Sequence, residues 1–249
     1  MEYTIAEDFT LPSLGKIYKK EVSPYVKVRS MTTREEMQRL NPSDRVYKPL
    51  CDVIDSCLVE SPGISCYDMC LGDYIYLLHK VRIVTYGPKY KTSTVCPYCG
   101  CSHDIEISLE DLDIKTYSED ILKYLEIDLP QTKHHVVIKP QTPRMLDEIE
   151  LRAKEQKKKN SKGGDYSFLL YIQAMIDTID GIKPNIIQLE DFVSSLPMLD
   201  AQYILRYSEK FNEELGVDTR VQDTCDICKL EFVSSFRITQ EFFRPTLDI

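Results

Sequence analysis

The spacing of apolar residues changes several times along the chain, and each spacing predicts a type of element. Residues 25–29 alternate between polar and apolar side chains with the period of a strand. Thr32 and Thr33 are each followed three residues later by a glutamate, the capping-box pattern that begins a helix. Residues 71–86 have helical spacing and are followed by Gly87 and Pro88, a common helix stop.

The remaining segments predict further helices and two separate β regions. Helical spacing recurs at 43–58, from about Thr142 onward, at 165–179 and at 189–215, and the basic, glycine-ended stretch 157–164 is interpreted as an exposed loop. Residues 134–138 predict a short strand. Strand-like alternation also flanks two Cys-x-x-Cys sequences, at 91–107 and at 220–236.

Length, composition and charge exclude several classes of protein. A chain of 249 residues with 43% hydrophobic residues can bury a sizeable core, which excludes a disordered protein. No apolar run approaches the roughly 18 residues of a membrane span, and the N-terminus lacks a secretory signal pattern, so we expect a cytoplasmic protein. The net charge of −9 disfavours a protein that coats nucleic acid.

The nine cysteines are unevenly placed, and four of them have the spacing of a metal site. Cys96, Cys99, Cys225 and Cys228 form two Cys-x-x-Cys turns, and each turn can present two thiolates to one tetrahedral zinc ion. More than 100 residues separate the turns, but closing that loop costs only about 4 kcal/mol. Structural zinc contributes roughly 10–16 kcal/mol in small peptides, so the sequence predicts a structural Zn²⁺ site.

Other residues near or outside this set leave alternatives open. Cys101 and His103 lie close enough to the first turn to replace one of the four ligands. Four further cysteines fall at core-like positions and are interpreted as buried thiols, with a second zinc at Cys66 and Cys70 as the less favoured alternative: Cys51, Cys57, Cys66 and Cys70.

No motif predicts a catalytic site. The chain lacks a glycine-rich phosphate loop, a His-Glu-x-x-His sequence and a Gly-x-Ser-x-Gly sequence, so we expect a protein that is not an enzyme. Cys96-Pro97-Tyr98-Cys99 also fits a glutaredoxin-like thiol oxidoreductase, but the following residues predict a strand instead of the helix that would acidify the thiol. A zinc-ribbon regulator that binds nucleic acid through Lys157–Lys159 is another alternative, which the negative charge disfavours.

Taken together, the patterns predict an α+β fold. We expect it to be mainly helical, with a zinc-ribbon-like β subdomain formed by the two distant Cys-x-x-Cys hairpins. The predicted segments are an N-terminal strand and helices (1–90), the first hairpin (91–116), a helical region (117–218), and the second hairpin with the C-terminal tail (219–249). We expect these segments to form one integrated domain.

Several short motifs follow one another in a specific order along nearly the whole chain. They are Leu-Pro-Ser-x-Gly at 11–15, Val-Lys-Val-Arg-Ser-Met-Thr-Thr-Arg-Glu-Glu at 26–36, Leu-Gly-Asp at 71–73, Arg-Ile-Val-Thr-Tyr-Gly at 82–87, Cys-x-x-Cys-Gly at 96–100, Leu-Glu-Asp-Phe at 189–192, Cys-x-x-Cys at 225–228 and Glu-Phe-Phe-Arg-Pro at 241–245. The ordered set resembles the baseplate hub assembly family of T4-like contractile-tailed phages.

This resemblance implies a non-enzymatic, chaperone-like assembly factor in the cytoplasm of the infected cell. Its implied partners are the phage tape-measure protein and other baseplate hub proteins. From the composition we expect no membrane partner, and the net charge disfavours nucleic acid. The resemblance leaves open whether the protein stays in the virion, and it does not itself imply zinc. Four tyrosines on predicted amphipathic helices suit partner recognition, although ordinary packing explains them equally well: Tyr166, Tyr171, Tyr203 and Tyr207.

Overall fold

The computed structural model describes residues 5–159, 166–236 and 240–243, which combine helices with small antiparallel sheets. The α-helices in these ranges are α1 (Thr33–Arg39), α2 (Lys48–Cys57), α3 (Leu71–Tyr86), α4 (Pro143–Lys159), α5 (Ser167–Met175), α6 (Ile186–Ser195) and α7 (Met198–Glu213). Short 3-10 helices occupy Cys66–Asp68, Glu119–Leu125 and Gln240–Phe243. This mixture confirms the predicted α+β class.

The strands pair with antiparallel neighbours in five small sheets within the described residues. They are β1 (Ala6–Thr10), β2 (Tyr25–Arg29), β3 (Lys89–Val95), β4 (Ser102–Ser108), β5 (Ile114–Lys115), β6 (Glu126–Asp128), β7 (His135–Ile138), β8 (Ile176–Ile179), β9 (Gly216–Val217), β10 (Arg220–Thr224) and β11 (Glu231–Ser235). The pairs are β1–β2, β3–β4, β5–β9 and β10–β11, and β6, β7 and β8 form a three-stranded sheet with β7 at its centre.

Local signals predicted several element boundaries correctly. Thr32 caps α1, and the Glu35 side chain accepts the Thr32 backbone N–H in return, which is the predicted capping box. Helix α3 spans the predicted residues and ends at Gly87, whose φ of +84° is readily adopted only by glycine. Both Cys-x-x-Cys sequences join the two strands of a hairpin, as predicted.

Three predicted helices have different bounds in the structure. The helix predicted over 43–58 begins only at Lys48, where the Asp147 carboxylate accepts the N–H groups of Val46, Tyr47 and Lys48. The helix predicted to reach residue 179 ends at Met175, and Ile176–Ile179 forms β8 because it completes the sheet beside β7. The long helix predicted over 189–215 is divided into α6 and α7 at Pro197, which has no N–H to continue the first helix.

The first part of the predicted basic loop is helical, and the rest of it lies outside the residues that the structure describes. Lys157–Lys159 form the last turn of α4, so the prediction of a loop was wrong for these three residues. Residues 160–164 of that loop and Asp165 lie outside the described residues, as do Arg244 and Pro245 of the last motif. None of the helices in the described ranges is long and apolar enough to cross a membrane.

The buried apolar side chains form two main groups. The first group combines β1 and β2 with α2, α3 and the β3–β4 hairpin, and it also contains Phe236, Phe242 and Phe243 from the far end of the chain. The second group lies between the β6–β8 sheet and helices α5, α6 and α7. The C-terminal phenylalanines therefore belong to the same core as the N-terminal strands.

A buried carboxylate joins two distant parts of the first core. Asp73 on α3 accepts the Ser13 backbone N–H at 2.9 Å and the Ser13 hydroxyl at 2.5 Å. The Tyr18 hydroxyl donates to the same carboxylate at 2.6 Å. Burial raises the pKa of Asp73, although these donors act in the opposite direction. The three donors thereby fix the turn that follows β1 against the first turn of α3.

A buried arginine joins α3 to the C-terminal segment. Arg82 donates to the carbonyl oxygens of Gly87 and Lys89, both at 3.2 Å. Its guanidinium also lies over the rings of Tyr90 and Phe242, at 5.2 and 5.6 Å from the ring centroids. Such cation–π contacts are strengthened when water is excluded. Arg82 therefore connects the end of α3, the start of β3 and Phe242 in one packed cluster.

Candidate metal centre

The β3–β4 and β10–β11 hairpins face each other through a row of side chains just below the two Cys-x-x-Cys turns. The Thr94 hydroxyl lies 2.6 Å from the Ser234 hydroxyl. The His103 ring binds the Asp223 carboxylate through Nε2 at 2.5 Å and packs edge-on against the Phe232 ring. These contacts cross between segments more than 100 residues apart and bring the two turns together.

The two turns share one backbone geometry. The Cys96 carbonyl accepts the Gly100 N–H at 3.0 Å, and the Cys225 carbonyl accepts the Lys229 N–H at 2.9 Å. The residue after the second cysteine has a left-handed conformation in both turns, with φ of +71° at Gly100 and +57° at Lys229. The two Cys-x-x-Cys sequences therefore fold into equivalent turns, each with its thiols directed to one side.

The structure brings together the four cysteines predicted as ligands. The Sγ atoms of Cys96, Cys99, Cys225 and Cys228 all lie within 4.8 Å of one another. The Cys96–Cys228 and Cys99–Cys225 sulfur pairs are 3.6 and 3.5 Å apart. A tetrahedron with metal–sulfur bonds of about 2.3 Å has sulfur–sulfur edges of about 3.8 Å. The four sulfurs could therefore hold one metal ion with little rearrangement.

The protein backbone favours a thiolate at one of these positions. The backbone N–H groups of Cys228 and Ile227 donate toward the Cys225 sulfur and lower the pKa of that thiol to about 6. Desolvation and the neighbouring sulfurs raise the pKa of Cys228 to about 12. A metal ion binds thiolates and not thiols, so proton competition for binding is reduced at Cys225 and increased at Cys228. Cys96 and Cys225 are buried, whereas Cys99 is exposed, so the site lies at the end of the paired hairpins.

The two alternative ligands of the first turn lie outside the sulfur group. The Cys101 sulfur is directed to the Cys99 carbonyl at 3.9 Å and does not belong to the set of four. His103 uses Nε2 to bind Asp223. The geometry thus favours four cysteines over a mixed set, and it gives His103 a position beneath the site as a link between the hairpins.

The other cysteines lie in the core, as the sequence indicated. Cys51, Cys57, Cys66 and Cys70 are all buried. Burial raises the pKa of Cys57 to about 12, and it also raises the pKa values of Cys66 and Cys70. Outside the four-cysteine group, the described residues contain no second cluster of three ligand side chains, so they offer no site at Cys66 and Cys70.

The structure also describes the surroundings of the glutaredoxin-like Cys-x-x-Cys sequence and of the two adjacent histidines. The first Cys-x-x-Cys turn lies between β3 and β4, and no helix begins at either of its cysteines. The neighbouring His134 and His135 bind different carboxylates, Asp180 and Asp128, at 2.6 and 2.9 Å. His135 is the first residue of β7 and His134 precedes the strand, so each ring has its own carboxylate partner.

Sequence reasoning missed the contacts that hold the hairpins together, although a local signal was present. Thr94 and Asp223 each lie two residues before the first cysteine of their turn, and side chains two apart on a strand share a face. Thr94 is paired with His103 across the first hairpin, and Asp223 with Phe232 across the second. If the two turns are assumed to meet, the alternation of side chains along each strand therefore identifies which side chains face the other hairpin.

Comparison with known proteins identifies the family of the chain. A family model described as T4 bacteriophage base plate protein matches residues 3–244. Searches of curated proteins and of solved structures found no match. The match spans every described helix and strand and both Cys-x-x-Cys turns. The chain therefore belongs to the T4 bacteriophage base plate protein family.

Proposed function

We propose that the chain is a non-enzymatic, chaperone-like assembly factor for the central hub of the phage baseplate. In this proposal it acts in the cytoplasm of the infected cell on the tape-measure protein or on other hub proteins. The observation that carries the proposal is the family match over residues 3–244. Because the match includes nearly the whole chain, we expect the function of the protein to be binding to other baseplate proteins.

The positions of the motif residues support a role in binding and not in catalysis. Ser13, Asp73 and Arg82 belong to the ordered motifs on which the sequence resemblance is based, and all three are buried. Ser13 and Asp73 bind each other, and the two terminal nitrogens of Arg82 donate to backbone carbonyl oxygens inside the protein. Catalytic groups must reach a substrate, so buried groups of this kind are better suited to maintaining a binding surface.

A structural Zn²⁺ ion is the second part of the proposal. Four thiolates complete the coordination of zinc and leave no open position for a substrate, which is typical of structural sites. Cys96 and Cys99 would hold the ion from the first hairpin, and Cys225 and Cys228 from the second. The metal would thus fix the C-terminal hairpin, and the phenylalanines that follow it, against the rest of the chain.

Co-expression with individual phage proteins tests the assembly role. The tagged chain is produced together with the tape-measure protein or with each hub protein in turn, and co-purification and the soluble fraction of the partner are measured. We expect at least one of these proteins to co-purify and to become more soluble. An unrelated tagged protein of similar size and charge serves as the control, and no association with any hub protein would contradict the proposal.

Purified phage particles separate an assembly factor from a permanent component. Quantification of the chain in particles and in assembly intermediates should show it bound to hub intermediates. Its amount in the finished particle then shows whether release accompanies assembly. The absence of the chain from every hub intermediate would contradict a direct role in assembly.

A further inference from the structure

A preformed apolar groove lies between the α1–α2 loop, the first half of α3 and the base of the β10–β11 hairpin. Its volume is about 780 Å³, within the range of ligand-binding cavities. Its walls include large apolar or aromatic side chains from several elements: Leu50, Leu71, Tyr74, Ile75, Leu78, Leu146 and Phe236. The groove is thus an apolar concavity built from four separate parts of the chain, the fourth being Leu146 on α4.

Apolar surface continues beyond the edge of the groove. Leu40 and Val46 lie at its rim with 61% and 57% of their surface exposed. Met37, which is 71% exposed, precedes Leu40 by three residues and shares its side of the chain. A small molecule inside the groove would leave these side chains in water, whereas a protein segment can cover the groove and its rim together.

The charge of the lining selects the chemistry of that segment. The groove is lined by Arg39 and Arg45 and by no acidic residue, although the whole chain carries a net charge of −9. Arg39 already pairs with Glu36. Arg45 donates to the neutral Tyr67 hydroxyl at 3.0 Å and forms no ion pair among the described residues. A carboxylate on the occupant would therefore complement Arg45.

The loop that forms the rim is held in place before any partner binds. The Asp147 carboxylate on α4 accepts the backbone N–H groups of Val46, Tyr47 and Lys48 at 2.8, 3.1 and 3.0 Å. Asp147 is itself buried, and it also accepts the Tyr67 hydroxyl. An ordered rim reduces the conformational entropy that binding must overcome, so the groove is suited to recognition.

We propose that this groove binds an amphipathic segment of another baseplate protein, with its apolar side chains in the groove and a carboxylate at Arg45. This inference rests on the proposed assembly function, because it assigns the partner surface of that function to one place. The apolar walls supply affinity through burial, and Arg45 selects an acidic segment over a basic one. The shared wall at Phe236 also makes the groove depend on the position of the metal-bearing hairpin.

Synthetic peptides provide a direct test of this chemistry. Two helical peptides of about 18 residues share one leucine face and carry either glutamate or lysine on the other positions. Fluorescence anisotropy measures their binding to the full chain, to three substituted variants and to a variant that lacks residues 244–249. We expect the wild type to bind the glutamate peptide at least about tenfold more tightly than the lysine peptide. Val46→Asp should weaken glutamate-peptide binding at least about tenfold, and Arg45→Glu should abolish the preference for glutamate.

A matched control and four outcomes decide the result. Ile182→Asp introduces the same charge at another exposed apolar residue that does not line the groove, and it should bind like the wild type. Circular dichroism establishes that all variants are folded. Equal binding of the two peptides, no binding of either, or unchanged binding by Val46→Asp would overturn the proposal. A gain of tenfold or more on deleting residues 244–249 would instead assign the groove to the chain's own last residues.

Co-purification separates this inference from the proposed function. If a hub protein co-purifies with the wild type but not with Val46→Asp, both are supported. If it co-purifies equally with both, the proposed function stands and the groove is not its binding surface. Selective peptide binding without any association with a hub protein would support the ligand chemistry of the groove and contradict the assembly role.

Discussion

The Ser13 hydroxyl donates to the Asp73 carboxylate at 2.5 Å, and the two residues are 60 positions apart in the sequence. Ser13 belongs to the motif at 11–15 and Asp73 to the motif at 71–73. The Asp73 carboxylate also accepts hydrogen bonds from the Ser13 N–H and the Tyr18 hydroxyl, and Asp73 is fully buried. Two motifs that are separate in the sequence are thus one buried hydrogen-bonded unit in the fold.

Removal of the Asp73 carboxylate should strongly destabilise the protein. Asp73→Ala leaves three donors without their acceptor, and we expect a loss of about 3–5 kcal/mol in the free energy of unfolding. Ser13→Ala removes only one of the two Ser13 donors, so about 1–2 kcal/mol is expected. Denaturant unfolding measures both values, with the exposed Asp8→Ala as the control. A loss below 1 kcal/mol for Asp73→Ala would show that the unit contributes little to stability.

Zinc should bind at one ion per chain and depend on cysteines from both hairpins. Cys96→Ser and Cys225→Ser each remove one of the four sulfurs, so each variant should lose most of its zinc. Cys101→Ser is the matched control, because its sulfur lies outside the group and its zinc content should be unchanged. Elemental analysis of the purified proteins measures the ratio. A folded wild type that contains no zinc after purification without chelators would contradict the proposed site.

The two equivalent turns should respond in opposite directions when their left-handed residues are changed. Gly100 adopts φ of +71° at no cost, so Gly100→Ala should destabilise the protein by about 1 kcal/mol. Lys229 adopts φ of +57° although it carries a side chain, so Lys229→Gly should relieve backbone strain. Glycine also makes the unfolded chain more flexible, which opposes this gain, and we expect a net stabilisation of about 0.5 kcal/mol. Thermal unfolding of the metal-loaded proteins measures both effects. Destabilisation by both substitutions would show that the Lys229 side chain contributes more than its backbone strain costs.

The sequence predicted those parts of the molecule that depend on short-range signals. Thr32 and Glu35 are three residues apart, and their capping box forms as predicted. Each Cys-x-x-Cys turn was likewise predicted from its own spacing, and the inference that both turns meet required only that four thiols share one ion. The four-cysteine group is therefore visible in the sequence although its halves are far apart.

Features that depend on distant partners could not be predicted in this way. Ile176–Ile179 continues a helical pattern locally, and it becomes a strand only because Val136 and Val137 pair with it. Asp147 caps the start of α2 from another helix, a relationship that no local motif marks. Phe236 ends the second predicted hairpin and Phe242 belongs to the predicted tail, yet both pack beside Tyr90 in the first core. The groove follows from these same long-range contacts, which is why the sequence did not indicate it.

Stability at acidic pH should depend on Glu35, the residue that completes the capping box. Arg29 donates to its carboxylate at 2.8 Å and the Thr32 N–H donates at 2.8 Å, and these bonds lower the pKa of Glu35 to about 2. A carboxylate with a lowered pKa stabilises the folded state above its unfolded pKa of about 4.3, and this contribution is lost as the pH falls toward 2.

Glu35→Gln isolates this contribution to the pH dependence. The variant should lose about 2 kcal/mol in the free energy of unfolding at pH 7, because glutamine removes the charge and keeps only a neutral amide oxygen as a hydrogen-bond acceptor. The difference from the wild type should shrink as the pH falls from about 4.5 toward 2, where the wild-type carboxyl also becomes neutral. Denaturant unfolding across this range measures the difference, and Glu60→Gln at an exposed position serves as the control. A difference that stays constant with pH would mean that the side chain acts through its shape and hydrogen bonds, with no contribution from its charge.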